Sequence, residues 1–292
     1  MLNREFTLRQ SDFDSLRRLI HGRTGIALQD TKYAMVYSRL AKRLRQLGFS
    51  DFAQYLALLA DKSDTRELVT FINAMTTNQT GFFREGHHFN HLQEQLLSPF
   101  IKKAASAAKQ DERLRIWSAG CSSGAEPYSI AMTVDAALSE SATEVDVKIL
   151  ATDIDTNVLN IGQAGLYSRE SLKPVPALMV KNYFRPAARG YMQVSSKLKQ
   201  AVYFKYLNLM QDWPMKGPFQ AIFCRNTLIY FDKKTQKKLI DRYVRLLEPG
   251  GILYLGHSES LCGDHPDLVA EGHSVFRKGF DQKQGSGQRR AG

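Results

Sequence analysis

Residues 114–132, LRIWSAGCSSGAEPYSIAM, decide how this chain is read. They open as a short apolar strand (Leu114, Ile116, Trp117), turn through the small residues 118–124, and restart as a helix at Glu126-Pro127. By this arrangement an α/β domain aims a helix N-terminus and bare backbone N–H groups at a ligand. Gly120 and Gly124 permit positive φ and a close approach to the main chain. Pro127 suits a first helical turn, where its missing N–H is no loss.

The turn departs from both common phosphate-binding patterns. Ser122 stands where the second glycine of a dinucleotide G-x-G-x-x-G belongs, and no Lys-Ser/Thr pair follows Gly124 as in a P-loop. Glu126 would repel phosphate and suits a cationic or hydroxyl-bearing ligand. S-adenosylmethionine is both, a sulfonium and an ammonium joined to a ribose. The turn alone is equally compatible with a plain α/β connection.

The 292 residues suggest about two domains and enough chain for a real core. No stretch approaches eighteen apolar residues and the N-terminus lacks an apolar signal region, so a cytoplasmic protein without membrane insertion is expected. Three scattered cysteines fit a reducing compartment and give no zinc pattern. The net charge of +11 asks for an anionic partner: nucleic acid, a membrane surface or an acidic protein.

Residues 1–80 read as a helical unit. Ser11, Ser50 and Asp64 are expected helix caps, Asp30 precedes the second helix, and Gly48 ends it. On that second helix Lys32, Arg39 and Arg43 share a stripe, with Lys42 and Arg45 nearby. The stripe is either a solvated face or a docking surface for an acidic protein. Polar TTNQTGFFRE (76–85) interrupts the helical pattern, and a helix from Arg84 to about Ala107 carries His87, His88 and His91. These lack the H-E-x-x-H pattern, so no metal is expected there.

A second strand (146–151) ends in Thr152-Asp153-Ile154-Asp155. An acid there commonly takes ribose hydroxyls, and Asp155 also suits the cap of the next helix. Residues 166–206 break the alternating rhythm and read as a small insertion, with a helix at 175–184 and a hairpin of 191–194 and 201–206. The fourth core strand, 219–224, runs into Arg225-Asn226-Thr227-Leu228-Ile229-Tyr230 at the carboxyl edge of the sheet, where open α/β folds bind ligands. Asp232 caps a basic amphipathic helix, 252–255 is another strand, and 274–280 is a candidate closing strand. The tail 281–292 is disordered by composition.

TTNQTGFFRE, WSAGCSSGAEPYSIAM, ATDID, FQAIFCRNTLIYFD and the EPGG…LGHSES close occur here in one order. Together they resemble the chemotaxis-receptor glutamate methyltransferases, the CheR-type family, over about residues 10–280. The resemblance implies an all-α N-terminal domain, receptor-docking, over 1–80. It implies a Rossmann-like S-adenosylmethionine-dependent methyltransferase domain over 81–280, with 166–206 as a small β-subdomain insertion. It also implies that Asn78, Thr80 and Arg84 face the methionine end of the cofactor and the substrate carboxylate. By the same likeness Glu126 takes the ammonium side, Asp153 the ribose, Asn208 and Leu209 lie along the adenosine, and Arg225 and Asn226 sit at the edge near the cofactor. Tyr230 would stand near the transferring methyl, or merely cap the core beneath Phe231.

The implied reaction is transfer of a methyl group to glutamate side chains of membrane chemoreceptors, on their cytoplasmic helical bundle. Lys32, Arg39, Lys42 and Arg43 would then dock that acidic bundle. A nucleic-acid methyltransferase is the first rival, but no D/N-P-P-Y/F motif follows the fourth strand and no Pro-Cys nucleophile occurs, so no nucleic-acid partner is expected. The second rival is an adaptor that binds cofactor or receptor without methylating.

Overall fold

The computed structural model describes residues 5–61, 65–106, 112–141 and 144–280. Asp64 and the 281–292 tail lie outside the described residues. The N-terminal part packs α1 (Gln10–Thr24), α2 (Tyr33–Leu47), α3 (Phe52–Ala60) and α4 (Thr65–Met75) around Phe13, Leu16, Val36, Leu40, Phe52 and Phe71, all fully buried. One buried acid, Glu67, ties three helices: it accepts from Tyr55 Oη at 2.8 Å and from the Arg43 guanidinium.

After the 76–86 linker, α5 (His87–His91), a π-helical stretch (Leu92–Leu97) and α6 (Ser98–Ser106) lead into the sheet domain. The elements that follow are β1 (Arg113–Ala119), α7 (Ala125–Ser141), β2 (Asp146–Asp153) and α8 (Thr156–Ala164). A small unit comes next, with β3 (Leu166–Ser168), α9 (Ala177–Tyr183), β4 (Phe184–Pro186) and β5 (Tyr191–Val194). The chain then forms α10 (Ser196–Ala201), β6 (Val202–Tyr206), β7 (Phe219–Cys224), α11 (Lys233–Leu246), β8 (Leu247–Leu255), β9 (Leu268–Gly272) and β10 (Val275–Lys278).

The main sheet has the order β6-β2-β1-β7-β8-β10-β9, parallel from β6 to β8, with β10 antiparallel to both of its neighbours, β8 and β9. β7 is buried at all six positions, as a central parallel strand covered on both faces must be. Strand order reverses at β1, which pairs with β2 on one side and β7 on the other. The crevice beyond the carboxyl ends of β1 and β7 is therefore the topological switch point, where such sheets bind ligands.

Several sequence expectations are corrected. The first helix is capped by Arg9, with Asp12 accepting from the Arg9 N–H, and the third by Asp51, which takes the Gln54 N–H. Ser11 and Ser50 are not the caps. The helix expected from Arg84 starts at His87, because Phe83 and Glu85 have φ of 51° and 56°. Residues 202–206 are not a hairpin arm but the outer parallel strand of the main sheet. The partners of β5 are β3 and β4. Alternating burial in β6 looks the same in either role. β9 was not anticipated. Among the described residues, no helix is long and apolar enough to cross a membrane.

The helical part is fastened over the carboxyl edge of the sheet. Asn73 Nδ2 donates to Thr156 Oγ1 (2.8 Å), Thr76 Oγ1 and Asn78 Nδ2 both donate to Asp155 Oδ2 (2.6 Å each), and the Ala27 N–H donates to the Tyr230 carbonyl (2.8 Å). Asp155 also caps α8 through the Asn157 N–H.

Candidate active site

A cleft of about 300 Å³ lies at this switch point, lined by Thr24, Ile26, Met75 and linker residues 76–81. All ten residues named above for catalysis or cofactor line it. Its floor is the glycine turn after β1. The Gly120 and Cys121 N–H groups both donate to the Thr152 carbonyl, and Gly120 has φ of 82°. A Cβ at Gly120 would stand 2.2 Å from Thr227 Oγ1, so the turn and the loop after β7 touch only because no side chain intervenes. Ser122 occupies the left-handed region at φ 48°. Its N–H donates to Asp153 Oδ2 at 2.8 Å, and its hydroxyl to the Asn78 carbonyl at 3.0 Å.

Two buried acids mark the ends. Asp153 accepts the Asp155 and Ser122 N–H groups, yet burial lifts its pKa above the ordinary carboxylate range. Glu126 accepts from Ser118 Oγ (2.7 Å) and pairs with Arg225 Nη1 (3.2 Å). Its pKa is raised too, because full burial outweighs the guanidinium. The other arm of Arg225 meets Glu85 at 3.2 Å and the Arg84 carbonyl. Glu85 is less deeply placed. Burial pushes its pKa up, but the Arg225 charge and a hydrogen bond from the His257 backbone prevail and hold it below the usual range.

Arg84 sits at the mouth with 44% of its side chain exposed, and its Nη1 donates to the Gln79 carbonyl at 3.2 Å. Tyr230 Oη donates to the Thr77 carbonyl at 3.3 Å, and burial raises its pKa, so it remains a neutral phenol. Both Tyr230 and Phe231 line the cleft, and Phe231 also packs on the neighbouring apolar cluster.

Three residues play parts that sequence reasoning did not foresee. Asn208 lines the wall, but its amide is committed, donating to the Arg23 carbonyl and accepting from the Met210 N–H. Arg39 and Arg43 do not form a free docking stripe. Arg39 donates to the Thr76 and Ala74 carbonyls and to Thr77 Oγ1, bracing the linker, and Arg43 is held by Glu67. Helical spacing identifies a stripe but not what packs against it. Lys32 and Lys42 are exposed.

Glu259, within the LGHSES close, is an organiser that sequence reasoning quoted without a role. Buried among backbone donors, it accepts the N–H groups of Gly256 (2.6 Å), Asn226 (2.8 Å) and Ile229 (3.2 Å), holding the loop that bears Asn226 (φ 55°) and Tyr230. Glu259→Gln turns an amide NH₂ toward one of those donors. It should lower stability by about 1–3 kcal/mol, the cost of leaving a buried donor without an acceptor. Thermal melts of the variant check this, and an unchanged midpoint would contradict it.

The donor set fits S-adenosylmethionine. Glu126 would take the cationic end of that molecule and Asp153 would accept from its hydroxyls. The apolar side chains of Ile154, Leu207 and Leu209 line the cleft as cover for an adenosine ring. Each carboxylate offers about four lone-pair sites, so those two retain acceptor capacity beyond their internal bonds.

Comparison with known proteins agrees. The CheR methyltransferase all-alpha domain matches residues 11–76, and the CheR methyltransferase SAM-binding domain matches 78–274. A probable chemotaxis protein methyltransferase of Rhizobium etli is 44% identical over 84% of this chain and 91% of its own length. Chemotaxis protein methyltransferases of Klebsiella aerogenes (42%; 92% and 90%) and Escherichia coli (39%; 94% and 93%) align similarly. S-adenosylmethionine is thus the cofactor, the activity is methyl transfer in chemotaxis, and the chain belongs to the CheR methyltransferase family.

Proposed function

We propose that this methyltransferase esterifies glutamate side chains on the cytoplasmic helical bundle of methyl-accepting chemotaxis receptors. The observation that carries this is the pairing of a half-exposed arginine at the mouth, Arg84, with an interior whose acids are already bonded. Bound S-adenosylmethionine supplies a methyl group on a sulfonium, electrophilic without prior protonation. A glutamate side chain, with an ordinary pKa of about 4.3, is ionised at neutral pH and needs no general base. The cleft offers none: Tyr230 is a neutral phenol, and Glu126 and Asp153 are buried and hydrogen-bonded. What the chain contributes is alignment. Arg84 presents a guanidinium fork to a carboxylate, Tyr230 offers a hydroxyl beside it, and Glu126 and Asp153 hold the cofactor.

Incubation with methyl-labelled cofactor and a purified receptor cytoplasmic fragment tests the reading. Label released by mild alkali is expected, since an ester hydrolyses to methanol. Alkali-stable label, or none from a protein that binds cofactor, would overturn it.

A further inference from the structure

α11 opens with Lys233, Lys234, Lys237 and Lys238 and has no acid before Asp241. The end of a helix dipole that favours anions thus carries four cations, and the pairs 233/237 and 234/238 repel one another along the helix. The opposite face is conventional, with Leu239, Ile240, Tyr243 and Val244 buried. Arg242 is held by the Leu209 and Gln211 carbonyls and lies 3.8 Å from the Trp213 ring centre. The four lysines are exposed, and among the described residues Lys234, Lys237 and Lys238 have no ion-pair partner. The N-cap Asp232 is the one acid at that end and is engaged by Thr235, so four exposed lysines against one capping carboxylate point to a role outside the fold.

Its position says which role. α11 begins three residues after Tyr230, and in a parallel sheet that helix end lies at the carboxyl edge, beside the cleft. His21 of α1 approaches Asp232 there at 3.5 Å, so no other element separates this rim from the helical part. We propose that the α11 lysines dock the acidic side of the same substrate helix whose glutamate enters the cleft. This rests on the receptor reading above. Lysines, flexible point charges rather than fixed forks, suit steering and tolerant docking of several target segments.

The test is the triple variant Lys234→Gln, Lys237→Gln, Lys238→Gln, assayed on a soluble receptor cytoplasmic fragment. KM should rise about tenfold at about 20 mM salt and converge on wild type near 0.5 M, where screening is short-ranged. kcat and cofactor Kd should not move. The melting temperature should hold or rise, because the dipole clash is relieved, so a folding defect is told apart from lost docking. Unchanged KM at low salt overturns the proposal. Unchanged KM with lost sedimentation on phosphatidylglycerol vesicles overturns it in favour of a membrane contact. A cofactor-binding wild type that leaves the fragment unmethylated overturns the receptor reading, and this proposal with it.

Discussion

Arg84→Ala should reduce methyl transfer to a receptor fragment by about 10²–10³-fold, the usual loss when one positioned donor to a reacting centre is removed. Cofactor affinity should stay within about twofold, because Glu126 and Asp153 are untouched. The structure makes the experiment clean. Arg84 is half exposed, and its hydrogen bond to the Gln79 carbonyl closes a short local loop. Its removal gives up a 4.0 Å approach to Glu85, but that carboxylate keeps Arg225 at 3.2 Å, so the melting temperature should move little. Arg84→Lys keeps the charge but not the fork and should recover only part of the rate. Parallel losses of turnover and cofactor affinity would make Arg84 a cofactor residue instead.

The contrast with Arg39 and Arg43 shows what a sequence conveys. The strand–glycine–helix turn, Asp153 at the end of β2 and the polar run after β7 were readable because each sits at a fixed place in a parallel α/β repeat. The backbone period thus located the cleft, whereas the ten residues that line it were named through the family resemblance of their motifs. Tertiary partners were not readable. Arg39 and Arg43 share the stripe and Lys42 lies beside it, yet of the three only Lys42 is exposed, because the other two meet the 74–77 segment and Glu67. The edge strand β6 and the role of Glu259 were missed for a similar reason. Which chain segment lies beside β2, or which N–H groups converge on one carboxylate, depends on packing remote in sequence.

The largest stability effect is expected from Arg225→Met. The guanidinium is almost wholly buried between Glu126 and Glu85, each 3.2 Å away, with its carbon 5.7 Å from the Phe89 ring centre. Methionine preserves apolar bulk over that ring but removes the cation between the two enclosed carboxylates, leaving Glu126 unpaired and Glu85 with only Arg84 at 4.0 Å. Breaking a buried pair in this way costs about 3–5 kcal/mol. The pH dependence identifies the cause. In the wild type Glu85 is held below its unfolded pKa by Arg225 despite burial, so its contribution is present at neutral pH and is lost as pH falls through the folded value. Glu126 already lies above its unfolded value because of burial. Without Arg225 both acids would have folded pKa values above the unfolded ones. The folded variant then binds more protons than the unfolded chain, and its stability falls as pH rises through that window. The deficit against wild type should therefore be wide at pH 8 and narrow at pH 5, as read from urea melts at the two values. Equal deficits at both would mean that lost packing, not stranded charge, explains the damage, and that Arg225 serves the site mainly as bulk.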